Sequence, residues 1–303
     1  MGSIAPTPLS AHLAPLLSSR PALRDSVIPA LLTAISQIAT TLRAASHITS
    51  LTTTNTFGDA QLNVDVLAES HIRTALLHCP SILTASSEED PIERPVPHPS
   101  PAAPGSETYT LAFDPLDGSS IIAPNWSVGT ILSLWDHPTS ALHLPPRTAQ
   151  IAAILGVHGP RTTAVVALRL PGTEGTVFEV SLPDCVVTVP HLLLPPTPGP
   201  GGRYFAPANL RAAAEDGRYM DLVTHYIRER YTLRYSGGLV PDVVHALVKG
   251  GGVYVSPVTG GSKAKLRRLY ETLPVALVVE CAGGRAVDPT WMARSGYGYR
   301  HMS

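Results

Sequence analysis

The sequence predicts a mixed α/β (α+β) protein, and three observations carry that prediction. Apolar residues recur at three- and four-residue spacing in some stretches. Short β-branched runs bounded by Gly, Pro and Asp occupy others. The two kinds are interleaved along 303 residues with no repeat period. Hydrophobic residues make up 44 % of the chain and charged residues 15 %, a balance that provides a large buried core and argues against disorder.

From the N-terminus, Val27, Leu31, Ile35, Ile38 and Leu42 fall on one face of a helix predicted over 26–45. Gly58-Asp59 marks a turn, and 61–77 reads as a second helix with Val66, Ile72, Leu76 and Leu77 to one side. A strand over 81–86 runs into Glu88-Glu89-Asp90, and a proline-rich loop follows at 91–104. The next strand, 109–113, is expected to stop at Asp114-Pro115. Further strands are predicted at 128–135, 151–157, 163–170, 177–180 and 185–189. The Pro- and Gly-rich stretch 190–202 is the best boundary, dividing the chain into domains over 1–190 and 200–303. Beyond it, 221–230, 243–248 and 263–271 read as helices, and 253–255 and 275–280 as strands.

Charge and cysteine usage exclude several classes. The net charge of −1 provides no broad basic field, so no nucleic-acid partner is expected, and an anionic substrate needs a local basic site. Cys79, Cys185 and Cys281 form no C-x-x-C pair, which argues against a disulfide framework and for a reducing compartment. No basic N-terminal segment leads into an apolar run, and no apolar run approaches the roughly 20 residues that span a bilayer. The expectation is a cytoplasmic protein with no membrane partner.

The sharpest local signal is Phe113-Asp114-Pro115-Leu116-Asp117-Gly118-Ser119-Ser120. Two carboxylates sit three residues apart at a strand end, and Gly118 lets the backbone turn where a side chain would clash. Ser119 and Ser120 then offer N–H groups and hydroxyls. Hard cations such as Mg²⁺ take oxygen ligands, and a loop that also presents N–H groups can hold metal and phosphate together. An isolated D-x-x-D more often only caps turns. The Ser-Ser-Glu-Glu-Asp run at 86–90 reverses that balance, because adjacent acids after an apolar strand repel unless solvated or bound to a cation. Asp59, Asp65 and Glu271 are further acids that spacing alone does not bring to the pair. A basic signal complements them. Arg234-Tyr235 follows a strand-like stretch, and Lys263, Lys265, Arg267 and Arg268 crowd one helix start, where Arg forks and Lys point charges suit phosphate.

These strings resemble the fructose-1,6-bisphosphatase and sedoheptulose-1,7-bisphosphatase family (class 1) over roughly 57–284. Gly58-Asp59, Val64-Asp65-Val66-Leu67, Ser87-Glu88-Glu89, D-P-L-D-G-S-S and Lys265-Leu266-Arg267 with Leu269-Tyr270-Glu271 fall in the family's order. Gly159-Pro160-Arg161-Thr162-Thr163, Asn209-Leu210-Arg211-Ala212, Tyr231-Thr232-Leu233-Arg234-Tyr235 and Val240-Pro241-Asp242-Val243 resemble the sedoheptulose branch more closely.

The resemblance implies a layered α/β/α/β/α fold, with the acidic metal site in the first domain and a sugar and distal-phosphate site in a second domain whose C-terminal part is shortened. It implies hydrolysis of the C1 phosphate of a ketose bisphosphate, sedoheptulose 1,7-bisphosphate or fructose 1,6-bisphosphate. Two or three Mg²⁺ ions, with Mn²⁺ as substitute, would be held by Glu88, Glu89, Asp114, the Leu116 carbonyl, Asp117 and Glu271. Asp65 and Glu89 would orient or deprotonate the attacking water, with Asp59 on a nearby loop. Gly118, Ser119, Ser120 and Arg267 would meet the reacting phosphate, and Asn209, Arg234, Tyr235 and Lys265 the distal one. The family's equivalent of Arg234 reaches into a neighbouring subunit, which implies a homo-oligomer, with a dimer favoured. Ala123 departs from the family pattern, which has an acid there. That change and the short C-terminus leave two alternatives: another phosphorylated metabolite as substrate, or a non-catalytic sugar-phosphate-binding member.

Overall fold

The computed structural model describes residues 6–54, 60–100, 103, 105–196, 202–262 and 266–287. Strand β1 (Thr7–Pro8) leads into helix α1 (Leu9–Leu16) and then α2 (Ile28–Ala44). Strands β2 (Ser50–Thr54) and β3 (Ala60–Leu62) pair antiparallel just before α3 (Asn63–Leu76). There follow β4 (Ile82–Ser87), β5 (Arg94–Pro95), β6 (Tyr109–Asp117), the short α4 (Ser119–Ile122) and β7 (Val128–Trp135). Next come α5 (Pro146–Ala149), β8 (Gln150–His158), β9 (Thr162–Leu168), β10 (Thr176–Ser181) and β11 (Val186–Val189). The remainder comprises β12 (Tyr204–Pro207), α6 (Gly217–Arg228), β13 (Thr232–Leu233), α7 (Leu239–Val248), β14 (Val253–Val255) and α8 (Leu273–Cys281).

Among the described residues, nine strands form one sheet in the order β1-β11-β10-β9-β8-β7-β6-β4-β5. From β6 to β11 it is an antiparallel meander, whereas β4 lies parallel to β6. Period-2 alternation divides its core in two. Leu132, Ile154, Val166 and Phe178 face α1–α3, where they meet Leu13, Leu31, Ile35 and Ile72. Ile131, Leu155, Val165 and Val177 face the other way and pack on Val240, Val243, Leu277 and Val278 of α7 and α8. Strands covered on both faces read as continuous apolar runs. A second, parallel sheet, β13-β12-β14, packs Phe205 on Tyr219, Leu222 and Tyr226 of α6. The Tyr204 and His245 rings, 4.7 Å apart, join this sheet to α7. The layers therefore run α/β/α/β/α.

Four local expectations are corrected. Strand β6 does not stop at Asp114-Pro115 but continues to Asp117. Among the described residues of 263–271, helical structure begins only at Arg268. The expected strand over 275–280 is helix α8, entered through Pro274, whose missing N–H is no loss in a first turn. Its apolar run is buried against the sheet, and such runs carry no periodicity to separate helix from strand. A continuous helical stretch of 22 residues, Leu23–Ala44, is long and apolar enough to cross a membrane, contrary to the expectation that no run approaches that length. Its apolar character has a structural cause: Ile28, Leu31, Leu32 and Ile35 are fully buried in the core.

Candidate metal and phosphate site

In a regular strand, residues three apart point to opposite faces, so Asp114 and Asp117 would diverge. A β-bulge prevents this. Asp114 pairs with Ile131 and Asp117 with Gly129, leaving Pro115 and Leu116 together opposite Thr130. The extra residue restores a common face for the two carboxylates. Pro115 has no N–H to give to a ladder, and a bulge is where a strand tolerates that. The Leu116 N–H closes the loop by donating to Asp114 Oδ1 at 3.0 Å.

Glu271 enters from the turn before α8. Carboxylate oxygens of Asp114, Asp117 and Glu271 lie within 4.8 Å of one another, and all three residues are buried. Glu88 follows β4 and joins through the parallel pairing, its N–H donating to the Phe113 carbonyl at 3.0 Å. Its Oε1 lies 2.8 Å from Nη1 of Arg267, and the Arg267 N–H donates to Glu271 Oε2. Arg267 thus ties together two acids of the cluster. Glu89 Oε2 accepts from Gln61 Nε2 at 2.5 Å. Asp65, in the first turn of α3, accepts the Leu62 N–H on Oδ2 at 2.8 Å, while its buried Oδ1 has no partner among the described residues.

Asp117 is held by the start of α7. The N–H groups of Leu239 and Val240, unpaired within their own helix, donate to its Oδ1 and Oδ2 at 3.1 and 2.7 Å. Gly129 permits that approach, because a Cβ there would lie 2.4 Å from Val240 Cβ. Asp242 holds the preceding loop by accepting the Ser236 N–H at 2.8 Å.

Crowding sets the electrostatics. Burial pushes the Asp114 carboxyl well above the usual range, and Glu88, Glu271 and Asp117 push it further. Asp117 is also raised by burial, against the opposing pull of the Val240 and Leu239 N–H groups. Glu271 is raised by burial, against the Arg267 N–H. Asp65 is pushed up to about 7, first by burial and then by Glu89 and Glu88, with the Leu62 N–H opposing. Buried like charges of this kind are costly without a counter-ion, and an all-oxygen donor set suits a hard divalent cation. The donor set of the cluster therefore fits a hard divalent cation such as Mg²⁺.

On the phosphate side, Gly118 has φ 99°, which turns the chain from β6 into α4 at Ser119 and Ser120. Ala123 is the residue that ends α4. Asn209, at φ 49°, uses its amide within the fold: Nδ2 donates to the Pro257 and Ser262 carbonyls at 2.7 and 3.2 Å. Burial raises the Tyr235 hydroxyl, and Asp242 raises it further, with the Asn209 backbone opposing. Arg234 lies over the Tyr204 ring at 5.6 Å and donates to the Leu233 carbonyl at 2.9 Å. It borders a small cleft with Asp242, His245 and Tyr254. Asp59 and Lys265 lie outside the described residues.

Several contributors escape the sequence reading. Gln61 and Gly129 have no local signature, and Thr130 sits within an ordinary apolar strand. Asp242 lies in the Val240-Pro241-Asp242-Val243 string already noted, where an acid near a helix start is the available signal. Tyr254 lines the same cleft as Arg234 and Asp242; burial raises its hydroxyl, and Asp117, Tyr235, Asp242 and Glu271 raise it further.

The N-terminal domain model of fructose-1-6-bisphosphatase matches residues 19–189, and the C-terminal domain model matches residues 199–292. The chain belongs to the fructose-1,6-bisphosphatase family. It is 40 % identical over 238 residues to the chloroplastic sedoheptulose-1,7-bisphosphatase of Spinacia oleracea, covering 78 % of this chain and 58 % of that protein. A class 1 fructose-1,6-bisphosphatase of Geobacter sulfurreducens is 34 % identical over 245 residues, covering 78 % of this chain and 71 % of its own. Among solved structures, a Toxoplasma gondii protein provisionally named sedoheptulose-1,7 bisphosphatase superposes with a TM-score of 0.80 at 35 % identity, covering 91 % of this chain and 86 % of that one. The family match spans less than two thirds of the sedoheptulose-bisphosphatase relatives' length, with 58 % of the spinach protein covered.

Proposed function

We propose that the protein is a Mg²⁺-dependent sugar-bisphosphate phosphatase that hydrolyses the C1 phosphate of a ketose bisphosphate. Sedoheptulose 1,7-bisphosphate is the favoured substrate and fructose 1,6-bisphosphate the second. The observation that carries this reading is the buried Asp114–Asp117–Glu271 cluster, whose oxygens lie within 4.8 Å of one another beside the Gly118-Ser119 turn. The higher identity to the spinach sedoheptulose enzyme, 40 % against 34 % for the Geobacter fructose enzyme, supports the order of substrates.

Asp114, Asp117, Glu271, Glu88, Glu89 and the Leu116 carbonyl would hold two or three Mg²⁺ ions. Bound there, such ions would acidify water and neutralise charge on the phosphate oxygens. The rest falls to the chain's own groups. The unpartnered oxygen of Asp65, whose carboxyl is raised by burial in the metal-free protein, holds or takes the proton of the attacking water. Glu89, held by Gln61, assists in orienting that water. The N–H groups of Gly118, Ser119 and Ser120 bind the reacting phosphate. Arg267, held by Glu88 and Glu271, faces it with a fixed positive charge. Positioning and electrostatic stabilisation are what phosphoryl transfer mainly needs. Asp59 belongs to the water-activating set, and Asn209, Arg234, Tyr235 and Lys265 to the distal phosphate. Arg234 and Leu233 are exposed at the end of β13, where a partner subunit of a homodimer would meet them.

The test is phosphate release from both bisphosphates, side by side, in Mg²⁺ and in EDTA, with wild type and Asp117→Ala. Release that needs metal and is lost in the variant supports the reading and ranks the substrates. No release from either sugar with Mg²⁺ overturns it. One observation favours a second reading: the Asn209 amide is engaged within the fold, donating to the Pro257 and Ser262 carbonyls. A different phosphorylated metabolite is then the substrate, and a panel of sugar and polyol phosphates separates the two.

A further inference from the structure

The bulge that aligns Asp114 with Asp117 is held from behind by two residues outside the acidic cluster. Thr130, fully buried on β7, faces Pro115 and Leu116 across the ladder. Its hydroxyl lies 2.9 Å from the Pro115 carbonyl and 2.9 Å from Nε2 of His158 on β8. The carbonyl can only accept, so the single hydroxyl proton goes to it. His158 must then donate through Nε2–H. Its Nδ1 is buried and has no partner among the described residues, which agrees with that tautomer.

The chain of bonds continues. The Pro115 carbonyl and the Leu116 N–H belong to one planar peptide. Thr130 grips that plane by its oxygen, and the same plane grips Asp114 Oδ1 by its N–H at 3.0 Å. His158, Thr130, the Pro115–Leu116 peptide and Asp114 therefore form one directed series of hydrogen bonds with no free rotation at the peptide.

We propose that Thr130 and His158 are positioning residues that orient the Asp114 carboxylate for a divalent cation by fixing the Pro115–Leu116 peptide. The proposal rests on the reading of the Asp114–Asp117–Glu271 cluster as a metal site. Loss of groups that orient a metal ligand typically weakens metal binding by about 10- to 100-fold. Thr130→Val keeps the volume and removes the hydroxyl. Thr130→Ser keeps the hydroxyl. His158→Phe leaves Thr130 free to turn its proton away from Pro115.

The experiment is direct titration with Mn²⁺, followed by electron paramagnetic resonance of the free ion, with folding of each variant checked by thermal denaturation in EDTA. Thr130→Val is expected to bind Mn²⁺ about tenfold more weakly. Thr130→Ser should recover the affinity to within about twofold, and His158→Phe should fall between them. A folded Thr130→Val that binds Mn²⁺ as tightly as wild type overturns the proposal. Wild type that binds no Mn²⁺ overturns the metal reading beneath it, which is a distinguishable failure. Nitrogen-15 spectra of wild type, with His158 identified by its loss in His158→Phe, provide an arm independent of Thr130 folding. Protonated Nε2 with bare Nδ1 is expected, and the opposite tautomer overturns the proposal.

Discussion

At Asp114, function and stability pull in opposite directions. Its carboxyl is buried among Glu88, Glu271 and Asp117, and each of those charges raises the cost of ionising it. Asp114→Asn keeps an acceptor for the Leu116 N–H and removes one charge from the group. In EDTA at pH 8 the variant should therefore melt higher than wild type, while losing the stabilisation expected from Mg²⁺. Paired thermal denaturation with and without Mg²⁺ checks both halves. An Asp114→Asn protein that melts lower than wild type in EDTA would count against the repulsion argument. Asp117 behaves differently, because its two oxygens both accept N–H groups from α7. In Asp117→Asn one of those positions becomes an NH₂ group facing a donor. The cost is about 1.5–3 kcal/mol for a hydrogen bond to a charged group, on top of the lost metal ligand. Urea denaturation in EDTA would measure that cost free of metal.

Two elements meet the acidic cluster from opposite sides, and Gly129 decides how closely. It lies opposite Asp117 on β7 and touches Val240 at the start of α7. Gly129→Ala would drive a methyl group into Val240, shift α7 and lengthen both bonds to Asp117. The expected loss is about 1–3 kcal/mol, with weaker metal binding beside it. Gly129→Ala combined with Val240→Ala should lose less than the sum of the single changes, because the two share one contact; additive losses in a double-mutant cycle would rule that contact out. The same elements show what the sequence displays and what it conceals. Continuous β-branched and apolar runs revealed β7, β8 and β9, which are buried on both faces, and 3.6-residue spacing revealed α2 and α3, each of which has one buried face. Spacing failed at α8, which is apolar on every side that meets the sheet. It failed again at β6, where Pro115 looked like a terminator. The bulge there depends on Thr130, a residue of another strand, and no local pattern carries that pairing. The acids themselves were legible because four lie in two short strings, 88–89 and 114–117. The helix N-terminus that caps Asp117, 122 positions away in sequence, was not.

Across the whole molecule, the acidic cluster makes stability depend on pH in a direction opposite to that of most carboxylates. Asp65 titrates at about 7 in the folded state against 3.8 in its ordinary state, and Asp114, Asp117 and Glu271 are raised as well. A raised carboxyl means that the metal-free folded protein binds more protons than the unfolded chain between the two pKa values. Stability then decreases as pH rises through that interval. For Asp65 the contribution is present below about pH 4 and is lost as pH approaches and passes about 7. Each such group changes stability by up to about 1.4 kcal/mol per pH unit. Metal binding has the reverse dependence, because cation and protons compete for the same oxygens. Melting temperatures in EDTA should therefore fall from pH 5 to pH 8, and the gap between Mg²⁺ and EDTA curves should widen over the same range. Removing Asp65 alone, as Asp65→Asn, should flatten part of the EDTA slope while leaving the Mg²⁺-induced gap largely in place, since Asp65 lies beside the clustered oxygens rather than among them. An EDTA curve that rises with pH across this range would mean that the carboxyls are already relieved by partners within the fold, and that the cation is not what balances them.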